Sequence, residues 1–206
     1  MLQSSRSFSK QEAIKTGWNL VKENFLLISG VWGIVFVIYF VSQALAKSFN
    51  DTAPFLSFLV FVLAWVVQLV ILLGSIKIAL KLVEDKKPKF SDLYAHYALL
   101  FSFLIGTFLY VSIVSVGTIL FIIPGIIWAI QFRFFPFAIV EKKATAFGAF
   151  EISSKITQGV KWNLFLFFLL LGVIVMFSAL AFGVGVLITI PLSIVATASV
   201  YRKLSS

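Results

Sequence analysis

Four long stretches almost free of charge decide what this chain can become. Phe25–Ala46 runs 22 residues without a charged side chain, and Phe55–Ile76 runs another 22, interrupted only by the amide of Gln68. Ala98–Val140 holds a single charge, Arg133, in 43 residues, and Trp162–Tyr201 holds none in 40. A helix needs about 20 apolar residues to cross roughly 30 Å of hydrocarbon, so the first two stretches are each one span. As single helices the other two would be about 60 Å long, twice the bilayer, and each is expected to fold back as a hairpin. The runs are continuously apolar rather than alternating, which excludes barrel strands. Helices are then the way to satisfy every backbone group inside lipid.

Glycine suits a tight turn at the membrane surface because it leaves φ and ψ unconstrained. Gly117 is the expected break in the third stretch, giving spans near 98–116 and 118–140. Gly183 and Gly185 are the expected break in the fourth, giving spans near 162–182 and 186–202. With spans near 25–46 and 55–76, the reading is an all-α, polytopic membrane protein. It has six transmembrane helices arranged as three hairpins, in one integral membrane domain over residues 1–206. Ala44-Leu45-Ala46 matches a signal-cleavage pattern, but the 22-residue run before it exceeds the roughly 7–15 residues of a signal core, so it is read as a retained first span. Composition agrees, with 61% hydrophobic and 12% charged residues against about 45–50% and 25% in soluble domains.

The net charge of +9 points toward lipid topology and not toward nucleic acid, because the cations lie between the apolar runs. Arg6, Lys10, Lys15 and Lys22 precede the first span. Lys77, Lys81, Lys86, Lys87 and Lys89 follow the second, and Lys142, Lys143, Lys155 and Lys161 follow the fourth. Arg133 lies just inside that fourth span, and Arg202 and Lys203 close the chain. Only Lys47 falls on the opposite side, a split of 16 to 1 among the 17 basic residues. The positive-inside rule therefore predicts a cytoplasmic (inner) membrane protein with both termini and the two long connections in the cytoplasm.

Two polar connections have helical periodicity. Over 9–24, Ser9-Lys10-Gln11-Glu12 reads as a capping box, and Ile14, Trp18, Val21 and Phe25 fall on one face. Over 145–160, Ala149, Ile152, Ile156 and Val160 share a face, with Glu151 and Lys155 spaced for an ion pair on the other. Both are expected to lie along the membrane surface. Phe90-Ser91 echoes Phe8-Ser9, and Leu93, Tyr97 and Leu100 keep the spacing. The chain thus reads as three units, each a short interfacial helix followed by a hairpin.

Ile119–Ile126, Arg133–Val140, Thr189–Ser193 and Tyr201-Arg202 form a further pattern with Glu12-Ala13, Gly17-Trp18, Lys22, Asn24 and Phe25. Over nearly its whole length the chain resembles a group of small prokaryotic six-span proteins. That group is related to the membrane domain attached to some glycerophosphoryl diester phosphodiesterases. The chain departs from the pattern at Val160-Lys161, which stands in place of an Asn-aromatic pair, and these 206 residues carry no phosphodiesterase domain. The resemblance implies location and architecture and carries no activity across.

The residues themselves hold little chemistry. One histidine, His96, and eight acids, Glu12, Glu23, Asp51, Glu84, Asp85, Asp92, Glu141 and Glu151, are scattered over connections. Asp92 and His96 could share a helix face, but two ligands are a weak metal signal. The chain has no cysteine, hence no thiol chemistry, and no phosphate loop or nucleophile elbow appears. The expectation is a protein with no catalytic site, no metal and no cofactor. No acid or histidine falls within a span, where coupled ion transport usually places one.

The candidate site residues are few. Arg133, with Lys142 and Lys143, is placed to hold an anionic lipid headgroup. Gln68, Tyr110 and Gln131 are candidates to line a cavity for a small solute, with Ser102, Thr107 and Ser115 near Tyr110 on the third span. Pro124, Gly125 and Pro191 are expected to kink their helices. The leading functional expectation is a membrane module that binds anionic membrane lipids, or a protein partner, through its basic cytoplasmic face. The alternative is a transporter or facilitator of a small solute.

Overall fold

A computed structural model describes residues 8–50, 52–180 and 185–205. Among these residues nine α-helices run in order: α1 (Lys10–Glu23), α2 (Phe25–Phe49), α3 (Pro54–Val83), α4 (Leu100–Leu120), α5 (Ile122–Gln131), α6 (Phe135–Lys142), α7 (Ala146–Thr157), α8 (Lys161–Leu180) and α9 (Val186–Ser205). Two short 3-10 turns, Phe90–Leu93 and Tyr97–Leu99, lie between α3 and α4. Among the described residues there is no strand, and six helical segments are long and apolar enough to cross a membrane, with α5 and α6 together making one of them. Large apolar side chains cover the outside of α2, α3, α4 and α8, among them Phe40, Phe58, Phe108 and Phe177. A continuous apolar belt of this kind is stable only in lipid. The chain is an all-α polytopic membrane protein.

The hairpin ends differ from expectation in an instructive way. The break after α4 falls at Phe121, whose extended backbone separates Leu120 from Ile122, and not at Gly117. Gly117 is helical and serves close approach. A Cβ there would meet the Trp128 ring at 2.6 Å and the Gly125 Cα at 3.0 Å. Gly125 in turn lies on Thr118, so a Cβ would fall 2.2 Å from its hydroxyl and 2.7 Å from its backbone nitrogen. Gly125 is thus a packing residue and not a kink. Pro124 sits in the first turn of α5, just after the break at Phe121, where its missing N–H has no helical acceptor to serve. Pro191 lies inside α9, which continues from Val186 to Ser205 around it. Of the two glycines expected to turn the last hairpin, Gly183 lies outside the described residues. At Gly185 a Cβ would meet the Ser178 backbone oxygen at 2.8 Å.

The helix break that matters lies at Phe132–Phe134, between α5 and α6. Pro136 causes it: inside a continuous helix its ring would collide with the carbonyl four residues back, at Phe132. The chain therefore restarts, with Pro136 in the first turn of α6. The aromatics around the proline anchor the break on three sides. Phe135 stacks on Phe103 of α4 and on Phe150 of α7, with ring centres 6.0 and 5.3 Å away. Phe134 and Phe137 both meet the fully buried Tyr201 of α9.

The core lies toward the end that carries α1, α7 and the last turn of α9, termed the basic end below. Along α3 the buried residues begin only at Ile71, and α6 is buried at Phe135, Phe137, Ala138, Ile139 and Val140. Polar groups tie this end together. Arg202 of α9 pairs with both Glu84 and Glu141, and the Tyr201 hydroxyl donates to Glu141 at 2.5 Å. Lys81 holds Asp92 at 2.7 Å, fixing the first 3-10 turn against α3, where Gly74 leaves room for the Leu93 backbone.

The helix α1 departs from expectation. It packs lengthwise on α9 with Ala13, Gly17 and Val21 buried, while Trp18 and Phe25 stay exposed. A Cβ on Gly17 would lie 3.1 Å from that of Ala196, so small residues set this contact. Ser9 caps the helix as expected by accepting from the Glu12 N–H, but the Glu12 carboxylate reaches Lys203 instead of closing the box. Of the predicted face of α7, Ala149, Ile156 and the following Val160 are buried, and Lys155 pairs with Glu151 at 2.6 Å. That hydrogen bond holds the Glu151 carboxyl below its ordinary range. The middle unit begins with 3-10 turns and not with an α-helix, so the three units do not share one form.

Candidate functional site

A groove with a cavity volume of about 490 Å³ runs between α4, α6, α8 and α9. Its walls are Phe103 and Tyr110 from α4, Phe135 and Pro136 at the break, Phe168 to Val175 from α8, and Ile190 to Thr197 from α9, with Trp32 and Leu72 behind. Most of these groups are apolar. The hydroxyls among them already have backbone acceptors. Tyr110 donates to the Ala129 carbonyl at 3.1 Å, Ser193 to Thr189 at 2.7 Å and Thr197 to Ser193 at 2.6 Å.

Arg133 is the exception. It sits in the break between α5 and α6 and lines the groove, with its guanidinium 5.4 Å from the centre of the Phe168 ring. Phe168 lies two turns, about 10 Å, into α8 from Lys161. The exposed Arg133 side chain therefore reaches about two turns along α8 from the charged start of that helix. Each ion pair among the described residues uses other cations, so no carboxylate neutralises Arg133 there. A ring face attracts a cation, but it leaves the guanidinium's donors without acceptors.

The break is held open by α7. Ser153, fully buried, accepts from the Phe134 N–H at 3.1 Å and donates to the Gln131 carbonyl at 2.7 Å. Thr157 adds a longer bond to the same carbonyl at 3.3 Å. Irregular backbone at such a depth is tolerated when protein groups take its hydrogen bonds, and these two hydroxyls do so. Gln131 has a structural task too. Its amide donates to Ser154 at 2.8 Å and accepts from Lys161 at 2.6 Å, joining α5 to α7 and to the start of α8.

The predicted residues are thus sorted. Arg133 and Tyr110 line the groove, while Gln131 and the half-buried Gln68 do not. Ser102, Thr107 and Ser115 do not line it either. Lys142 and Lys143 are exposed at the far end of α6, about 12 Å of helix from Arg133, and neither lines the groove. The residues that sequence reasoning missed are Ser153 and Thr157, which periodicity alone assigns to the polar side of an amphipathic helix, and Gly172. Among the described residues, no three acidic or histidine side chains gather to hold a metal ion. No protein-family model, curated protein or solved structure matches this chain.

Proposed function

We propose that this is a multi-pass protein of the cytoplasmic membrane, with both termini in the cytoplasm, that serves as a lipid-binding module without a catalytic site. The observation carrying this reading is Arg133, a permanent cation inside an apolar span, on the wall of a large groove and with no carboxylate partner. Ionisable residues at such depth are costly and mark sites of function. An anionic headgroup supplies the charge and the planar pair of acceptors that a guanidinium fits. The distribution of 16 of 17 basic residues to one side supports the orientation. The exposed Lys142 and Lys143 extend the basic surface on which anionic lipids or a protein partner would dock. The resemblance to the phosphodiesterase-associated membrane domain fits a lipid context.

The test is the lipid content of the purified protein. Mass spectrometry should find bound anionic lipid in the wild type, reduced about tenfold in Arg133→Ala, the size expected for loss of one strong charge-assisted pair. Unchanged lipid content in the variant would remove the reading. The groove also supports a second reading, a facilitator for a small solute. Its mostly apolar lining favours a lipid-like molecule over a polar one.

A further inference from the structure

The geometry points to a specific mode of binding: we propose that the groove between α4, α6, α8 and α9 takes one acyl chain of an anionic phospholipid, whose phosphate is drawn below the headgroup level onto Arg133. This rests on the lipid-binding reading above and adds where the chain lies and how the head is held.

Gly172 leaves one side of the groove open. Small residues in spanning helices usually let two backbones approach closely, as Gly117 and Gly125 do here. Gly172 has no such neighbour: a Cβ built on it would meet nothing within 4 Å, although the residue lines the cavity. The missing side chain leaves empty width along α8. That width begins one turn beyond Phe168, whose ring carries the Arg133 guanidinium. A molecule with its charge on Arg133 therefore has an open apolar track running from that charge toward the far end. The cavity, at about 490 Å³, is in the range of small-molecule sites. Its walls extend about 10 Å along α8 and α9, enough for part of one chain and not for two.

Charge complementarity selects the occupant. Moving a chain from bilayer to groove exchanges one hydrocarbon setting for another, so the apolar walls do not discriminate between lipids. Discrimination comes from Arg133, the polar group of the lining whose side chain has no hydrogen-bond acceptor or carboxylate among the described residues. A phosphate carried to it is held bidentately by the planar guanidinium beside the apolar wall of the groove, a fit that the single ammonium groups of Lys142 and Lys143 do not offer. A lipid with no net charge keeps its own cation near its phosphate and gains less.

The test uses the full-length protein in nanodiscs containing phosphatidylglycerol with a photoactivatable diazirine on one chain, and phosphatidylcholine carrying the same label as comparison. The expected crosslinks map to Phe168–Val175 and Ile190–Thr197, with the anionic probe favoured about tenfold over the neutral one. Gly172→Leu fills the open track and should bring groove crosslinks to background. It places a good helix former where glycine stood, so the helix is not weakened. Gly33→Leu, the same change at another position where a Cβ meets nothing, should leave them unchanged. Arg133→Gln should keep the chain crosslinks and abolish the anionic preference. Crosslinks spread evenly over the apolar belt in the wild type, or groove crosslinks unchanged in Gly172→Leu, overturn the proposal. If Arg133→Ala strips anionic lipid while the groove crosslinks never appear, the lipid-binding reading stands and this mode fails. If neither the lipid content nor the anionic preference of the crosslinks changes when Arg133 is replaced, both fail.

Discussion

Ser153 shows how one hydroxyl holds a membrane protein's irregular segment. Its oxygen accepts the Phe134 N–H and its proton goes to the Gln131 carbonyl, both at a helix break in the protein interior. Alanine there orphans the N–H and leaves the carbonyl only the 3.3 Å contact with Thr157, whose one proton has nearer acceptors in the Ser153 and Ser154 carbonyls. Leaving one buried donor unmet costs about 1–3 kcal/mol. Ser153→Ala should accordingly lower the thermal unfolding midpoint in detergent by several degrees. Ser154→Ala should do less, because the Gln131 side chain retains Lys161. Equal shifts for the two variants would show that the break does not depend on Ser153. Arg133 owes its position to the same device. Without Ser153 and Thr157 to satisfy the broken backbone, the segment carrying the guanidinium would not stay inside the span.

At the scale of elements, the α4–α5 hairpin is set by two glycines that meet side by side. A methyl group on Gly125 would lie 2.2 Å from the Thr118 hydroxyl and 2.7 Å from backbone, so either the helices separate or the turn moves. Overpacking of this kind costs about 1–3 kcal/mol. Gly125→Ala should destabilise the protein by that amount in a thermal melt, while Gly172→Ala, facing open space, should stabilise it slightly by helix propensity. Similar losses for both would mean that glycine flexibility, and not close approach, governs the hairpin. The same pair explains what was legible beforehand. Span number and approximate limits follow from hydropathy, since the length needed to cross lipid is fixed by helix rise. Gly117 was legible as special, but sequence does not say whether a glycine turns a chain or lets another approach, so the turn at Phe121 was missed. Pro124 and Pro136 look alike in sequence, and each lies in the first turn of the helix that restarts after a break. On α1 the large residues Ile14 and Trp18 draw the eye, yet the contact with α9 uses Ala13, Gly17 and Val21. Arg133 was recognisable from charge alone, whereas the groove needs four helices and could not be read from any one of them.

For the whole molecule, the arrangement of charge and core implies a direction in the membrane. Among the described residues the ion-paired clusters, Arg202 with Glu84 and Glu141 and Lys81 with Asp92, gather at the end where α1 and the last turn of α9 meet. The opposite end is formed by the short α2–α3 and α4–α5 connections. Between Thr52 and Lys87 lies α3, 30 residues long, about 45 Å of helix and more than the roughly 30 Å of hydrocarbon it must cross. The two positions should then face opposite compartments, and the proposed orientation puts Lys87 on the cytoplasmic side. The absence of native cysteine makes this directly measurable, since one engineered thiol is the only one present. In intact cells an impermeant maleimide should label Thr52→Cys and leave Lys87→Cys unlabelled until the membrane is permeabilised. Lys142→Cys should behave like Lys87→Cys, because α4, α5 and α6 return the chain to the side it left. Labelling of Thr52→Cys and Lys87→Cys from the same side would remove α3 as a spanning helix. Labelling of Lys87→Cys alone from outside would reverse the orientation and put the Arg133 groove in reach of the outer leaflet.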